Sequence, residues 1–318
     1  MTDVPRHEIA AVNATFRQPS TSPFGPGDEI GMLNLMTDAT RSRVMAEADG
    51  AKMFDLAVDY FVGMPAWTYA GDPGFNIWMS HTPSGTIVED PMGVGEEQNR
   101  LVSYSGDCIT MYTHCGTHLD TLNHFGYCGQ IWNGFTEKQH LGARQWTVCG
   151  ADKQPPIIAR GVLIDVAAAL EVDVLPDSYG IGEDDLRMAL DRQGTTLRTG
   201  DVPIIRTGRM KHWPDPDAYA LDEPGINREG AEFLAKAGAI VIGADNLALE
   251  HYPGADPENW EVVHTYLLAE AGVPILEVVN CEALAAEEVY EFAFFAAGMP
   301  LRGATAAPLR PVAFPLRA

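Results

Sequence analysis

Between residues 161 and 280 short apolar runs alternate with amphipathic segments, and this alternation narrows the fold more than any other feature. GVLIDVAAA (161–169), DVPIIRTG (201–208), AIVIGADN (239–246) and VPILEVVN (273–280) read as buried strands. Between them, EDDLRMALDRQG, INREGAEFLAKAG and VHTYLLAEAG read as helices, the first ended by Gly194 and the second capped by Asn227. Strands interleaved with helices specify an α/β fold. No linker, charge block or internal repeat divides the chain, so residues 51–318 are expected to form one domain. Residues 1–50 are rich in Pro, Gly and Ser around PSTSPFGPGDEIGMLN, which predicts an extended arm able to wrap a surface, and to reach a second subunit, rather than an independent domain.

Charge removes two classes of partner. The 318 residues carry 21 Lys and Arg against 44 Asp and Glu, a net −23, and no basic cluster interrupts that excess. Phosphate backbones and anionic lipid surfaces are repelled by such a field, so neither nucleic acid nor membrane is expected as a partner. MTDVPRHEIA lacks the apolar run of a secretory peptide, and no segment approaches the roughly 18 apolar residues of a membrane span. A cytoplasmic protein is expected. Cys108, Cys115, Cys128, Cys149 and Cys281 are odd in number and form no C-x-x-C pair, which reads as free thiols.

Upstream of the alternating region, AKMFDLAVDYF (51–61) reads as a strand and LVSYSGDCITMYTHCGTHLD (101–120) as a long half-buried strand running into a glycine-interrupted turn. Trp67 and Trp78, in the loop between, read first as packing residues and second as pocket walls.

The densest chemistry lies in HCGTHLDTLNH, residues 114–124. His114, His118, Asp120 and His124 are all even-numbered, so an extended backbone would turn them to one face, and Gly116 permits the bend that lets imidazoles and a carboxylate converge. This is the composition of a metal site; a hydrogen-bonded histidine cluster in a structural turn is the alternative. H-E-x-x-H spacing is absent, which argues against a zinc protease helix. There is no G-x-S-x-G nucleophile elbow, and Cys115 and Cys128 read as bystanders.

HCGTHLDTLNH resembles the H-x-G-T-H-x-D-x-P-x-H signature of the cyclase-like metal-dependent hydrolases, of the kynurenine formamidase and isatin hydrolase type. GDEIGMLN, FDLAV, GMPAW, GDVPIIRTG, GADNLALE, VHTYLLAEAGVPILE and PLRGATAAPLRPVAF are similar to further blocks of that family in the same order. Leu122 stands where the signature has proline, a departure that touches turn geometry and subfamily rather than metal chemistry.

The resemblance implies a swivelling β/β/α fold, a homodimer or homotetramer, and a Zn2+ or Mn2+ centre that hydrolyses the C–N bond of a small cyclic amide, imide or formamide. Lactone or ester hydrolysis on the same site, and a non-enzymatic protein with a structural metal, are the alternatives. Carried over by position, His114, His118 and Asp120 match the metal ligands and His124 the acid/base. His264 and Glu277 match a late histidine and glutamate that help bind a second ion. Their ordinary alternatives are a capping or core histidine, and an ion pair of Glu277 with Arg206. For Asp245 and Glu250 structural roles are favoured, and Thr207 and Gly208 read as an ordinary strand-ending turn.

Overall fold

The computed structural model describes residues 19–254, 256 and 259–317. Its strands are β1 (Phe54–Asp55), β2 (Asn76–His81), β3 (Gly106–Thr110), β4 (His118–Asp120), β5 (Ile157–Asp165), β6 (Gly180–Ile181), β7 (Val202–Arg206), β8 (Gly225–Ile226), β9 (Ile242–Ala244), β10 (Ile275–Glu277), β11 (Glu291–Ala296), β12 (Ala306–Pro308) and β13 (Val312–Pro315). Nine of them form one mixed sheet in the order β1-β13-β11-β5-β7-β9-β10-β4-β12. Its centre, β5-β7-β9-β10, is parallel and coincides with the four apolar runs read from the sequence. Buried on both faces, these strands need no polar alternation, which is why they appear as continuous Val/Ile/Leu runs.

The connecting helices form for local reasons. Helix Glu183–Gln193 opens with three acidic residues against the helix dipole, with Asp185 accepting from Gly182 N at 2.9 Å, and ends at Gly194 in the left-handed region. Helix Arg228–Lys236 is capped by Asn227, whose Oδ1 accepts from Gly230 N at 3.0 Å. Leu186, Ala189 and Leu190 of the first and Ala231 and Leu234 of the second enter the main core with Ile204, Ile205 and Ile242. The third connection starts as one α-turn at Val262–His264 and widens into a π-helix over Thr265–Ala271, closed by Gly272 at φ 65°.

The upstream region departs from the reading of two long strands. The first shrinks to the two residues of β1. The second divides into β3 and β4, because the backbone between them bends at His114–Thr117 with Gly116 at φ 60°. A Cβ on Gly116 would lie 2.4 Å from the Tyr60 ring, so the bend and the close packing both require glycine. β3 pairs with β2 in a separate antiparallel hairpin, while β4 joins the main sheet between β10 and β12.

Of the N-terminal arm, residues 1–18 lie outside the described residues. From Ser20 onward the arm lies on its own chain: Ser20 N donates to Ala269 O and Met32 N to Gly272 O, and Met32, Leu33 and Met36 enter the main core. Among the described residues no helix is long and apolar enough to cross a membrane.

Candidate metal centre

Antiparallel pairing of β4 with β10 sets Glu277 opposite His118, and strand alternation puts Asp120 on the same face as His118. His118 is fully buried; its Nδ1 faces Gly116 O at 2.8 Å, so that nitrogen carries the proton and Nε2 is left as a lone-pair donor. His118 Nε2 stands 3.0 Å from Glu277 Oε2 and 3.3 Å from Asp120 Oδ1. His114 enters from the bend before β4, with Nε2 2.8 Å from Thr305 Oγ1 and Nδ1 2.7 Å from Asp120 Oδ1. His264, on the α-turn, brings Nε2 to 3.3 Å from Glu277 Oε1 and 3.8 Å from Asp120 Oδ2.

The donors therefore fall into two triads that share Asp120: His114, His118 and Asp120, and Asp120, His264 and Glu277. In each, one ligand atom per residue lies within 4.8 Å of the others. His114 Nδ1, His118 Nε2, both Asp120 carboxylate oxygens and Glu277 Oε1 are buried without a hydrogen-bond partner. Burying five such atoms together is costly unless something binds them all. The electrostatics point the same way. Burial disfavours charge on His118, yet Asp120 and Glu277 hold it up at about 10, and His264 is raised well above its ordinary value by Glu261, Glu250 and Glu277 despite burial. Burial opposes ionisation of Asp120, but His114 and His124 hold it well below the carboxylate range. A pocket that pulls positive charge onto buried imidazoles, with nitrogen and oxygen donors converging, fits a divalent cation.

Of the residues singled out in the sequence, His114, His118, Asp120, His264 and Glu277 come together, and His124 sits beside them in the turn after β4. Only His118 and Asp120 share a strand, so the even numbering of the four motif residues reflects two strand positions and two bends. The His124 ring lies 3.8 Å from the His114 ring, with Nε2 3.7 Å from Asp120 Oδ2. Burial and the neighbouring His114 push its pKa well below the ordinary value. Glu277 makes no pair with Arg206, whose guanidinium is taken by Asp165 at 3.0 Å and Glu282 at 2.8 Å.

Asp245 is structural: it accepts from Thr207 N, Thr207 Oγ1 and Gly208 N at 2.7–2.9 Å, which also commits those amides to the fold. Glu250 does more than hold a strand end. Its Oε1 accepts from His264 Nδ1 at 2.7 Å, which fixes that imidazole with Nε2 toward Asp120 and Glu277. Glu261, 3.1 Å from the same Nδ1, is pushed up to about 7 by burial against the pull of His264. Glu261 lies three residues before His264, a helical spacing visible in the sequence; Thr305 carries no such signal.

The centre forms the floor of a pocket of about 150 Å³ walled by Trp67, Tyr112, Phe125 and Trp260. Trp67 is thus a wall residue, packed edge-on to Tyr69 and Tyr252, whereas Trp78 stands half-exposed on β2. Cys115 is buried with Met64 and Phe75, and burial pushes its thiol up to about 11, the condition of an inert cysteine.

No curated protein sequence gives a significant match to the chain. Among solved structures, a protein described as a novel cyclase superposes with a TM-score of 0.81 at 26% identity, covering 94% of this chain and 100% of its own. Isatin hydrolase A from Ralstonia solanacearum shares the fold at a TM-score of 0.62 and 18% identity, covering 82% and 91%. A potential metal-dependent hydrolase with cyclase activity does so at 0.53 and 19%, covering 83% and 98%. The Cyclase family model matches residues 54–251, a span that holds the whole 114–124 motif and Glu250. With that match, described as a putative cyclase, and the shared α/β fold, the chain belongs to the Cyclase family.

Proposed function

We propose that the protein hydrolyses the C–N bond of a small cyclic amide, imide or formamide. In this reading His114, His118 and Asp120 hold one divalent ion, Zn2+ or Mn2+; His264 and Glu277 extend the site around Asp120, and His124 is the acid/base. The observation that carries it is the set of partnerless buried donor atoms on the floor of an aromatic-walled pocket. A divalent ion held there would polarise a carbonyl and lower the pKa of a water toward about 7.

The rest of the chemistry falls to the protein's own side chains. His124, kept neutral by burial and by His114, is ready to accept the proton of the attacking water and to return it to the departing nitrogen. Glu250 and Gly116 O fix the tautomers of His264 and His118 by taking their Nδ1 protons. Trp67, Tyr112, Phe125 and Trp260 offer flat apolar walls, and among the described residues none that lines the pocket is Lys or Arg, so a neutral, flat substrate suits it. Isatin, named in the solved relative, is a cyclic amide of that shape. The free thiols suit a reducing cytoplasm, where we place the enzyme.

The test is a hydrolysis screen of cyclic imides, isatin-like lactams, N-formyl aromatics and lactones with protein reconstituted with Zn2+ or with Mn2+. Turnover of an amide class that is lost on chelation supports the reading. Turnover confined to lactones would replace it with ester hydrolysis, and no turnover of any class with full metal content would favour a structural ion.

A further inference from the structure

Three carboxylates line the pocket beside its histidines: Asp72, Glu261 and Glu277. Two of them belong to the centre. Glu277 faces His118 at 3.0 Å and His264 at 3.3 Å, and Glu261 faces His264 at 3.1 Å. Among the described residues the Asp72 side chain makes neither a hydrogen bond nor an ion pair. Asp72 is only half-exposed, and a carboxylate partly withdrawn from water without a partner is unfavourable unless a ligand supplies one.

The backbone holds Asp72 in place from both sides. Gly71, at φ 86°, closes a turn by donating its N–H to Thr68 O at 3.0 Å. Pro73 restricts the residue before it to extended backbone, and Pro73 O accepts from Tyr112 N at 3.2 Å. Asp72 is thereby tied to the Tyr112 wall. The Tyr112 ring lies 4.8 Å from that of His114, so one aromatic side chain connects Asp72 to the buried centre. Burial and then the charge of Asp72, ahead of Asp120 and Glu277, push the Tyr112 phenol up to about 12.

The pocket is therefore polarised along its depth. Its floor is the buried histidine and carboxylate centre, its sides are flat rings, and a half-exposed carboxylate stands toward solvent. A ring whose carbonyl faces the floor would present its far edge to Asp72. We propose that Asp72 is a specificity residue, accepting a hydrogen bond from an N–H or amino group on the outer edge of a flat, neutral substrate. This rests on the reading of the pocket as the substrate site. Sites built to pair a donor discriminate strongly against analogues that lack it, because their own polar group is then left bare.

Ketones matched in shape test this without hydrolysis: 4'-aminoacetophenone carries the donor opposite its carbonyl, and 4'-methylacetophenone does not. Isothermal titration calorimetry on the metal-reconstituted full chain should show the amino ketone binding about tenfold more tightly, since hydrogen bonds to a charged acceptor are the stronger kind. Asp72→Ala should abolish that preference while the methyl ketone binds within about twofold of wild type, and Asp72→Asn, which keeps an acceptor oxygen, should retain about two- to threefold. A cooperative thermal transition and unchanged metal content check that each variant is folded and loaded. Equal affinities in wild type, a preference that survives Asp72→Ala, or no saturable binding of either ketone would overturn the role of Asp72. Failure of the hydrolysis screen beside a preference that depends on Asp72 would remove the proposed reaction and keep the donor site; amide turnover without the preference would do the reverse.

Discussion

Replacing Glu250 by Gln tests whether His264 is a ligand oriented from behind. Glu250 Oε1 accepts from His264 Nδ1 at 2.7 Å, from His264 N at 2.9 Å and from Val263 N at 3.1 Å. Burial works against its charge, but His264 holds its pKa below the usual carboxylate value, so all three hydrogen bonds are charge-assisted. A glutamine oxygen can still accept them, at about 1 kcal/mol less for a neutral than for a charged acceptor, and its amide group would face Val263 N. The expected cost is about 1–3 kcal/mol of stability, which the fold should survive. Losing the carboxylate behind a metal-binding imidazole typically weakens affinity by about 10- to 100-fold. Competition with a chromophoric chelator, run on demetallated wild type and Glu250→Gln with Zn2+ and with Mn2+, measures this directly. An affinity unchanged for every bound ion, in a variant destabilised as calculated, would show that His264 is a structural histidine and refute the reasoning.

Three further outcomes are expected. His124→Asn should lower turnover by about 10²- to 10⁴-fold with metal content intact, read by steady-state kinetics beside elemental analysis; release of the ion would make His124 a ligand instead. Asp245, raised by burial to about 6 from 3.8, holds its proton more tightly folded than unfolded, so its contribution to stability is greatest below pH 4 and declines as pH rises to about 6. Measured against Asp245→Asn, which cannot ionise, wild type should lose about 3 kcal/mol over that window in denaturant titrations, and a difference independent of pH would contradict it. Gly31→Ala should cost about 2–4 kcal/mol in the same assay, because φ is 56° and the new Cβ would lie 2.1 Å from Gly272 O; a cost under 0.5 kcal/mol would mean the arm moves aside freely.

The parallel centre of the sheet was legible because its four strands are buried on both faces and their helices carry their own caps, Gly194 and Asn227. The motif was legible because imidazoles and a carboxylate at such density have few other uses. What the sequence concealed depends on long-range pairing. The 101–120 run reads as one strand because alternation persists through it; only the packing of Tyr60 against Gly116 shows that the chain turns there and sends its two halves to different sheets. Register between β4 and β10, separated by more than 150 residues, decides that Glu277 meets His118 rather than Arg206. Glu250 stood in a recognised block, but its role became visible only once the turn at Val262–His264 folded over it. Thr305, behind His114, offered no pattern at all.

The central claim is that His114, His118 and Asp120 hold a divalent ion. Elemental analysis of purified wild type and His118→Asn, each dialysed against buffer containing Zn2+ or Mn2+ and then freed of unbound metal, tests it most directly. His118 Nε2 is one of three donors of the first triad, and the variant has no imidazole to replace it. Wild type should retain at least one equivalent per chain, and the variant should lose at least one of the equivalents that wild type holds, together with any rise in melting temperature that metal confers. Wild type without bound metal, or a variant that keeps every equivalent, would contradict the account.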